Sequence, residues 1–225
     1  MNNDLAYLPI LKRAGLVLIV VGVIDVGVMI YCIVHSIHYS STYNIFAIVA
    51  GIFLLRGSLR GASILSQAAA FLLAAFVLGA LLSPVFVPAG LVLAELRIYP
   101  LRSLASAASM AFLFGLSFWV LQQLRREAVL EAIVRSKGKI PSLRVPILVG
   151  VALAVILSST VGLSLRSDRA KRAEQIAASQ VGNGYKLHVT SIGTVWTSKG
   201  RRSYGVVTAW NDHEIRQIPV SWDEQ

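Results

Sequence analysis

Five long runs of apolar residues between positions 14 and 165 constrain this chain more than any other feature of its sequence. A water-soluble fold of this size leaves too much surface exposed to hide five such runs. A bilayer core of about 30 Å needs about 20 apolar residues in one helix. Because backbone groups in a bilayer must hydrogen-bond within the protein, the sequence predicts a membrane all-α bundle.

The predicted transmembrane domain covers residues 1–165. Its five predicted spans have approximate bounds 14–34, 43–59, 62–82, 103–121 and 145–165. Composition agrees, because only 14% of the residues are charged, against about a quarter in soluble domains. The single cysteine, Cys32, lies in the first run, so the sequence offers no intramolecular disulfide.

Residues 84–100 are the segment whose place the sequence leaves open. We expect Pro84 and Pro88 to break the chain after the third span. The apolar stretch that follows is interrupted by Glu95 and Arg97. The segment fits an interfacial helix, a re-entrant piece or a sixth span. We interpret Glu95 and Arg97 as an interfacial charged pair, with a gate or ligand contact as the alternative.

Basic residues favour five spans with a cytoplasmic amino terminus, in what we expect to be a bacterial inner (plasma) membrane. Cytoplasmic loops are enriched in Lys and Arg. With this topology, ten basic residues fall in the inside segments: Lys12, Arg13, Arg56, Arg60, Arg125, Arg126, Arg135, Lys137, Lys139 and Arg144. Two fall in the outside loops, Arg97 and Arg102, and four more follow the fifth span on the outside: Arg166, Arg169, Lys171 and Arg172. The bias is therefore weakened but keeps its direction.

The net charge of +10 points to membrane lipids as partners and not to nucleic acid. Most of these charges sit beside the apolar runs, where basic residues meet anionic headgroups. Between the last two spans, residues 122–142 predict an amphipathic helix with Leu124, Val129, Ala132 and Ile133 in broadly helical spacing. We interpret this helix as lying on anionic lipid, with docking of a cytosolic partner as the alternative.

Residues 166–225 predict a small extracytoplasmic α+β domain of one helix and a three-stranded antiparallel meander. Ser167 is a suitable N-cap, and the glycines at 182 and 184 end the helix. The predicted strands are 185–196, 202–210 and 214–222.

Turn residues and alternation define the predicted meander. Lys199-Gly200 and Asn211-Asp212 fit the two turns, and Pro219 suggests an edge position for the third strand. Tyr204, Val206, Thr208 and Trp210 are expected on one face of the second strand; Ile218, Val220 and Trp222 are expected on one face of the third.

About 60 residues without a disulfide make a marginal domain with two open sheet edges. We therefore expect this domain to pack against its own membrane helices, a second copy or another protein.

Asp25 is the most informative single residue, because it lies near the middle of the first span. A carboxylate at that depth costs about 2.5–3.5 kcal/mol on insertion scales, so it should face protein or water. Gln67 and Asn44 are polar candidates to pair with it, and Arg56 is a charged one nearer the inner surface. Asp25 then serves either a transport path or packing between helices.

Four histidines and one stripe of small residues complete the candidates. His35, His38, His188 and His213 all fall outside in this topology, but no spacing typical of a metal site joins them, so we expect surface roles and no cofactor. Ser103, Ala107, Ala111 and Gly115 form a small-residue stripe on the fourth span, which favours close packing within the bundle over dimerisation.

The sequence contains no phosphate-binding loop, nucleophile elbow or Cys/His pair placed for catalysis. Our leading interpretation is a non-enzymatic accessory or scaffold protein whose extracytoplasmic domain contacts a protein partner or a second copy. The alternatives are a small transporter or channel using Asp25, and a membrane enzyme or metal protein.

Overall fold

The computed structural model describes residues 5–36, 44–182, 184–197 and 200–223. The chain is mostly helical and ends in a three-stranded antiparallel sheet. The helices are α1 (Leu8–Val34), α2 (Asn44–Leu55), α3 (Leu59–Phe86), α4 (Ala89–Ile98), α5 (Pro100–Leu124), α6 (Glu127–Lys137), α7 (Arg144–Leu165) and α8 (Asp168–Val181). The strands are β1 (Lys186–Thr197), β2 (Gly200–Trp210) and β3 (Ile215–Asp223).

Four helices are long and apolar enough to cross a membrane: α1, α3, α5 and α7. They contain four of the five predicted spans and extend beyond the predicted bounds. The second predicted span, 43–59, corresponds to α2, which has 12 residues and a length of about 18 Å. That is shorter than a bilayer core, so a fifth crossing stays a prediction.

Pro84 does not break the chain, contrary to the sequence expectation. It lies inside α3, which continues to Phe86. Proline lacks the N–H that would bond the carbonyl of Ala80. The Ser83 hydroxyl donates to that carbonyl at 2.9 Å instead. The helix therefore tolerates the proline in its last turn and ends before Pro88.

The undecided segment folds as the short helix α4. It has ten residues, or about 15 Å, which is half of a bilayer core. Pro88 precedes its first residue, and Tyr99 separates it from α5. This length excludes a sixth complete span.

Close contacts divide the chain into two compact units. Unit 1 comprises residues 1–75 and 113–150, and unit 2 comprises residues 76–112 and 151–225. The predicted boundary between membrane helices and the C-terminal domain, after residue 165, is a division of another kind and stays a prediction.

The core of unit 1 gathers at one end of its helices, which we call the Tyr7 end. There the start of α1, the end of α2, the start of α3 and the end of α5 share one apolar cluster with α6. Its buried members include Leu11, Leu54, Ala62 and Leu124. The turn Arg56–Ser58, with Gly57 at φ 71°, joins α2 to α3 at this end.

The amphipathic helix α6 belongs to this core. Val129 and Ile133 are 0% and 1% exposed and pack in the same cluster as Leu11 and Leu124. Its apolar face is thus covered by the chain's own helices. Val129 and Ile133 are therefore not available to acyl chains, and contact of the rest of this helix with anionic lipid stays a prediction.

Helices α1 and α2 approach until their backbones touch. A Cβ added at Gly15 would lie 2.6 Å from the carbonyl oxygen of Gly51, and one added at Gly51 would lie 2.6 Å from that of Gly15. No side chain fits between the two helices there. This reciprocal glycine pair sets how closely α1 and α2 pack.

The sheet of unit 2 has strand order β1-β2-β3 and is antiparallel throughout. Val207 of the central strand lies opposite Val189 of β1 and Ile218 of β3. The register shifts between Val189 and Ser191, which marks a bulge in β1. Pro219 lies in an edge strand, as the sequence predicts.

Helix α8 covers one face of the sheet. Its N-cap is Ser167, whose hydroxyl oxygen accepts from the amide of Ala170 at 3.4 Å, as predicted. Ala170, Ala173 and Ala177 are spaced for one helical face and are buried against the sheet. Val220 and Trp222 of β3 lie in the same core.

Candidate functional site

The opposite face of the sheet looks away from α8, and we call it the bundle face. Strand register places on it Lys186, His188 and Gly193 of β1, Tyr204, Val206, Thr208 and Trp210 of β2, and Ile215 and Pro219 of β3. The predicted alternation in β2 and β3 is confirmed, and it puts the two predicted sets on opposite faces. Thr208 and Trp210 are buried although α8 lies on the other side.

Helix α4 closes one end of the bundle face. A Cβ added at Gly90 would lie 3.8 Å from Nε1 of Trp210, which places the indole directly beside the helix. A cleft of about 620 Å³ lies between α4 and the β2–β3 turn. Arg97 and Lys186 line it, with Asp212 opposite Arg97 at 4.0 Å. Both partners of this ion pair are largely exposed, so it contributes little.

His188, on the bundle face, lies near the ends of the two long helices α3 and α7. It lines a cleft of about 720 Å³ together with Phe86 of α3, Gly162 of α7 and Arg166. A Cβ added at Gly162 would lie 3.1 Å from Cε1 of Phe86, so the ends of α3 and α7 are in contact. We call this side of unit 2 the Phe86 end.

The middle of β1 reaches the last turn of α7. Gly193 lines a groove of about 350 Å³ together with Leu163, Ser164 and Arg169. The Tyr204 ring lies over Gly193, where an added Cβ would be 2.5 Å from its Cζ atom. Any larger residue at 193 would therefore have to displace the Tyr204 ring.

Within unit 2, β3 contacts α4, and a cleft lined by His188 lies between the sheet and the ends of α3 and α7. Packing of the C-terminal domain on a second copy or another protein stays a prediction. Within unit 2 the layers run from helix ends to sheet to α8.

The β2–β3 turn holds the best-defined polar cluster of the described chain. The Asn211 side-chain oxygen accepts from the amides of His213 at 2.8 Å and Glu214 at 2.9 Å. The Tyr185 hydroxyl donates to Glu214, and Arg216 Nε donates to the other carboxylate oxygen at 2.8 Å. The Arg216 guanidinium also lies 5.8 Å from the centre of the Tyr185 ring.

This cluster shifts the ionisation of its members. The hydrogen bond from Tyr185, then that from Arg216, lowers the pKa of Glu214 below its usual 4.5. The same bond to Glu214 raises the pKa of Tyr185 above 10.0. The cluster therefore favours charged Glu214 and neutral Tyr185, which is the pattern of a structural turn and not of a proton-transfer pair.

Asp25, the principal predicted site, is half-buried in α1. Its neighbours Val23 and Ile24 are 56% and 61% exposed. The carboxylate thus lies nearer the protein side of the helix than they do.

The predicted partners of Asp25 lie elsewhere in unit 1. Gln67 is half-buried in α3 and Arg56 is exposed in the α2–α3 turn; the Asn44 side chain is outside the described part of the structure. Leu11 and Ala62 share one core, so at 1.5 Å per residue Asp25 lies roughly 13 Å further along its helix than Gln67 does along α3. The pairing of Asp25 stays a prediction.

The predicted pair Glu95 and Arg97 lies on α4 and both side chains are exposed. Arg97 instead meets Asp212 of the β2–β3 turn at 4.0 Å. The sequence analysis did not predict this contact, because nothing in residues 84–100 indicates that Arg97 meets Asp212, 115 positions later.

The histidines do not form a metal centre within the described residues, where no group of three or more potential ligands occurs. His35 is exposed, and its Nδ1 lies 2.9 Å from the Tyr31 carbonyl oxygen in the last turn of α1. His188 is half-buried on β1, and His213 is exposed in the β2–β3 turn. His38 lies outside the described residues.

The small-residue stripe is not where helices pack closely. Ala107 and Ala111 are exposed, and a Cβ added at Gly115 meets no atom within 4 Å. Close packing occurs at Gly15 and Gly51 instead. The sequence carries more than one glycine in each of these two spans, and no four-residue spacing of glycines marks Gly15 or Gly51 as the contact.

Comparison with protein-family models, curated proteins and solved structures finds no match to this chain.

Proposed function

We propose that this protein is a non-catalytic accessory or scaffold protein of a cell membrane that presents its α+β domain to a protein partner. The layer order within unit 2 supports this best. The sheet lies over helix ends on its bundle face and under α8 on its other face. The outward surface of the domain is therefore the outer face of α8.

That outer face is polar and charged. Lys171, Arg172, Gln175 and Ser179 are exposed, while the alanines on the other side are buried. The Lys171–Asp168 ion pair at 3.1 Å is also exposed and leaves Arg172 beside it. A surface of this kind suits a partner with acidic or hydrogen-bonding groups.

The sheet edges suit partner binding less well. A bulge interrupts β1 after Val189, and Pro219 lies within β3, where it offers no N–H for pairing. Bulges and prolines are the devices by which edge strands avoid pairing with other chains. We therefore assign partner contact to α8 and not to strand addition.

We further propose that the Tyr7 end faces the cytoplasm and that the C-terminal domain faces away from it. The ten basic residues of the predicted inside segments all belong to unit 1. Arg125 donates to the Pro141 carbonyl at 3.4 Å, which ties the end of α5 to the start of α7. The loops that carry the positive charge therefore meet at one end, as the positive-inside rule requires.

Topology is testable with an impermeant thiol reagent on intact cells. Cys32 is replaced by Ser, and a single cysteine is placed at Ser179 on α8 or at Ser136 on α6, both exposed. We expect labelling at 179 in intact cells and at 136 only after permeabilisation. The reverse pattern would exclude this orientation.

Partner binding is testable with a photo-reactive amino acid placed in cells at Lys171 or Gln175. The control position is Ser136. We expect a protein adduct of discrete mass from the two α8 positions and none of that mass from the control. If α8 gives no protein adduct at native expression levels, the scaffold function is wrong.

A second candidate function is ion or proton transport through Asp25, favoured by its half-buried position. We expect Asp25→Asn to abolish any flux in vesicles containing the purified protein, and Asp25→Glu to retain part of it. Absence of flux in the native protein would remove this candidate.

A further inference from the structure

We infer that residues 195–196 of β1 and 201–204 of β2 form a lipid-contact element that rests in the headgroup region of the membrane beside α7. Among the described residues after 165, the exposed large apolar side chains are Val195, Trp196 and Tyr204, at 48%, 78% and 49%. All three belong to this one hairpin.

Strand register places Val195, Arg202 and Tyr204 on the bundle face and Trp196 with Arg201 on the opposite face, so exposed groups flank both sides of these strands. Arg202 lies opposite Val195, and Arg201 lies opposite Trp196. The Arg201 guanidinium is 5.5 Å from the centre of the Trp196 ring. Aromatic rings flanked by arginine are the combination that favours the boundary between acyl chains and anionic phosphates.

The position of the hairpin beside α7 indicates that its exposed side chains contact lipid and not only water. Tyr204 covers Gly193, and Gly193 lines a groove with Leu163 and Ser164 in the last turn of α7. Leu163 is 74% exposed, on a helix long and apolar enough to cross a membrane. If α7 spans the bilayer, Tyr204 lies at the depth where the helix leaves the acyl chains.

The charge around the hairpin agrees with an anionic lipid. Arg166 and Arg169 follow the last turn of α7, and Arg169 lines the same groove as Gly193. Arg202 is partly compensated by Asp223 at 3.8 Å. By formal charge, the four arginines at 166, 169, 201 and 202 outnumber Asp168 and Asp223, which is complementary to phosphate headgroups.

The test uses the full purified chain in vesicles of phosphatidylcholine alone or mixed with phosphatidylglycerol. Lipids brominated near the headgroup end of the acyl chain quench tryptophan on contact, and iodide quenches tryptophan in water. Native protein is compared with Trp196→Phe, an exposed position at which the substitution should leave the fold intact. Trp210 and Trp222 are buried and remain in both proteins.

We expect the native protein to be quenched by brominated lipid more than Trp196→Phe, and the two proteins to respond equally to iodide. Arg201→Gln with Arg202→Gln should reduce the lipid quenching in phosphatidylglycerol vesicles. Lys171→Gln on the outer face of α8 should not. Circular dichroism verifies that each variant is folded.

Equal lipid quenching in native protein and Trp196→Phe, with greater iodide quenching of the native protein, would overturn the inference. If iodide reaches Trp196 in vesicles but not in native membranes, the hairpin binds a protein partner, and the lipid assignment is wrong. Neither result depends on whether α8 binds a partner.

Discussion

The two helix ends described above are covered in different ways. At the Tyr7 end of unit 1, α6 inserts Val129 and Ile133 into the core of the long helices. At the Phe86 end of unit 2, the sheet and α8 have their own core. Clefts lie between the sheet and the helix ends, and the buried Trp210 indole lies beside α4. The first cover shares the core of the long helices, whereas the sheet and α8 have a core cluster of their own within unit 2.

The difference indicates which contacts contribute most to the stability of each region. Apolar burial dominates at the Tyr7 end, where removal of one side chain leaves a cavity. At the Phe86 end the polar contacts with α4 are exposed and weak. Trp210 is the exception, because it is buried between the sheet and Gly90.

Trp210→Ala should have the largest effect, since truncation of a buried tryptophan costs about 3–5 kcal/mol. We expect faster hydrogen exchange in β2 and β3 together with α4. Trp196→Ala is the matched control, as that ring is 78% exposed. Loss of protection in the strands alone, with α4 unchanged, would break the claim that Trp210 joins the two.

Ile133→Ala should destabilise the Tyr7 end by about 2–5 kcal/mol because Ile133 is 1% exposed. Ile140→Ala, at a residue 56% exposed, should change little. Thermal unfolding in detergent compares the two. Equal midpoints would mean that α6 is not part of the core, and the contrast between the two covers would disappear.

Gly15→Ala should cost about 1–3 kcal/mol, as overpacking does. The added methyl group would meet the Gly51 carbonyl oxygen at 2.6 Å, and a backbone cannot rotate away. Gly27→Ala, in the same helix with no atom within 4 Å of the added Cβ, should be neutral or stabilising because alanine favours helix. If Gly27→Ala were also destabilised, the loss in Gly15→Ala could not be assigned to the contact with Gly51.

Arg97→Gln should cost less than about 1 kcal/mol, as is usual for exposed ion pairs. Its partner distance to Asp212 is 4.0 Å. Hydrogen exchange of α4 should be nearly unchanged and insensitive to salt. An effect as large as that of Trp210→Ala would show that polar contacts, not the indole, hold the domain on α4.

Glu214→Gln should have the smallest effect, visible only as a change in acid sensitivity. The pKa of Glu214 is lowered in the folded protein, so its contribution is present above its unfolded pKa of 4.5 and is lost as pH falls through the folded value. We expect the unfolding midpoints of native protein and variant to differ at pH 6 and to approach each other as the pH falls below 4.5. Glu174→Gln is the control, and a constant difference would contradict the prediction.

Much of the fold follows from periodicity and composition. Four of the predicted spans, the Ser167 cap, the three strands and the Asn211 turn are local features, each specified by residues within a short window. The first predicted span ends where α1 ends but begins later than α1, and α3 extends beyond its predicted span at both ends, because a helix can continue past its apolar run when capping and turn geometry allow it.

The missed features are contacts between distant segments. Docking of α6 needs the volume of Val129 and Ile133 to match a cavity formed by four other helices, and no window of sequence contains that information. The Gly15–Gly51 crossing is similar, since either glycine alone reads as an ordinary helix residue. The clefts below the sheet depend on which helix ends meet.

The core of the C-terminal domain is formed by one continuous stretch of chain, which has a consequence for how the protein folds during synthesis. Its core draws only on residues from Leu165 to Trp222, a continuous stretch at the end of the chain. We expect those residues to complete their core before any contact with α4 forms, because every contact in it lies within this one stretch of chain. Contact with α4 joins residues more than 100 positions apart and is expected to form last. In this order, the last step of folding is contact between the already folded C-terminal residues and α4, which is synthesised earlier.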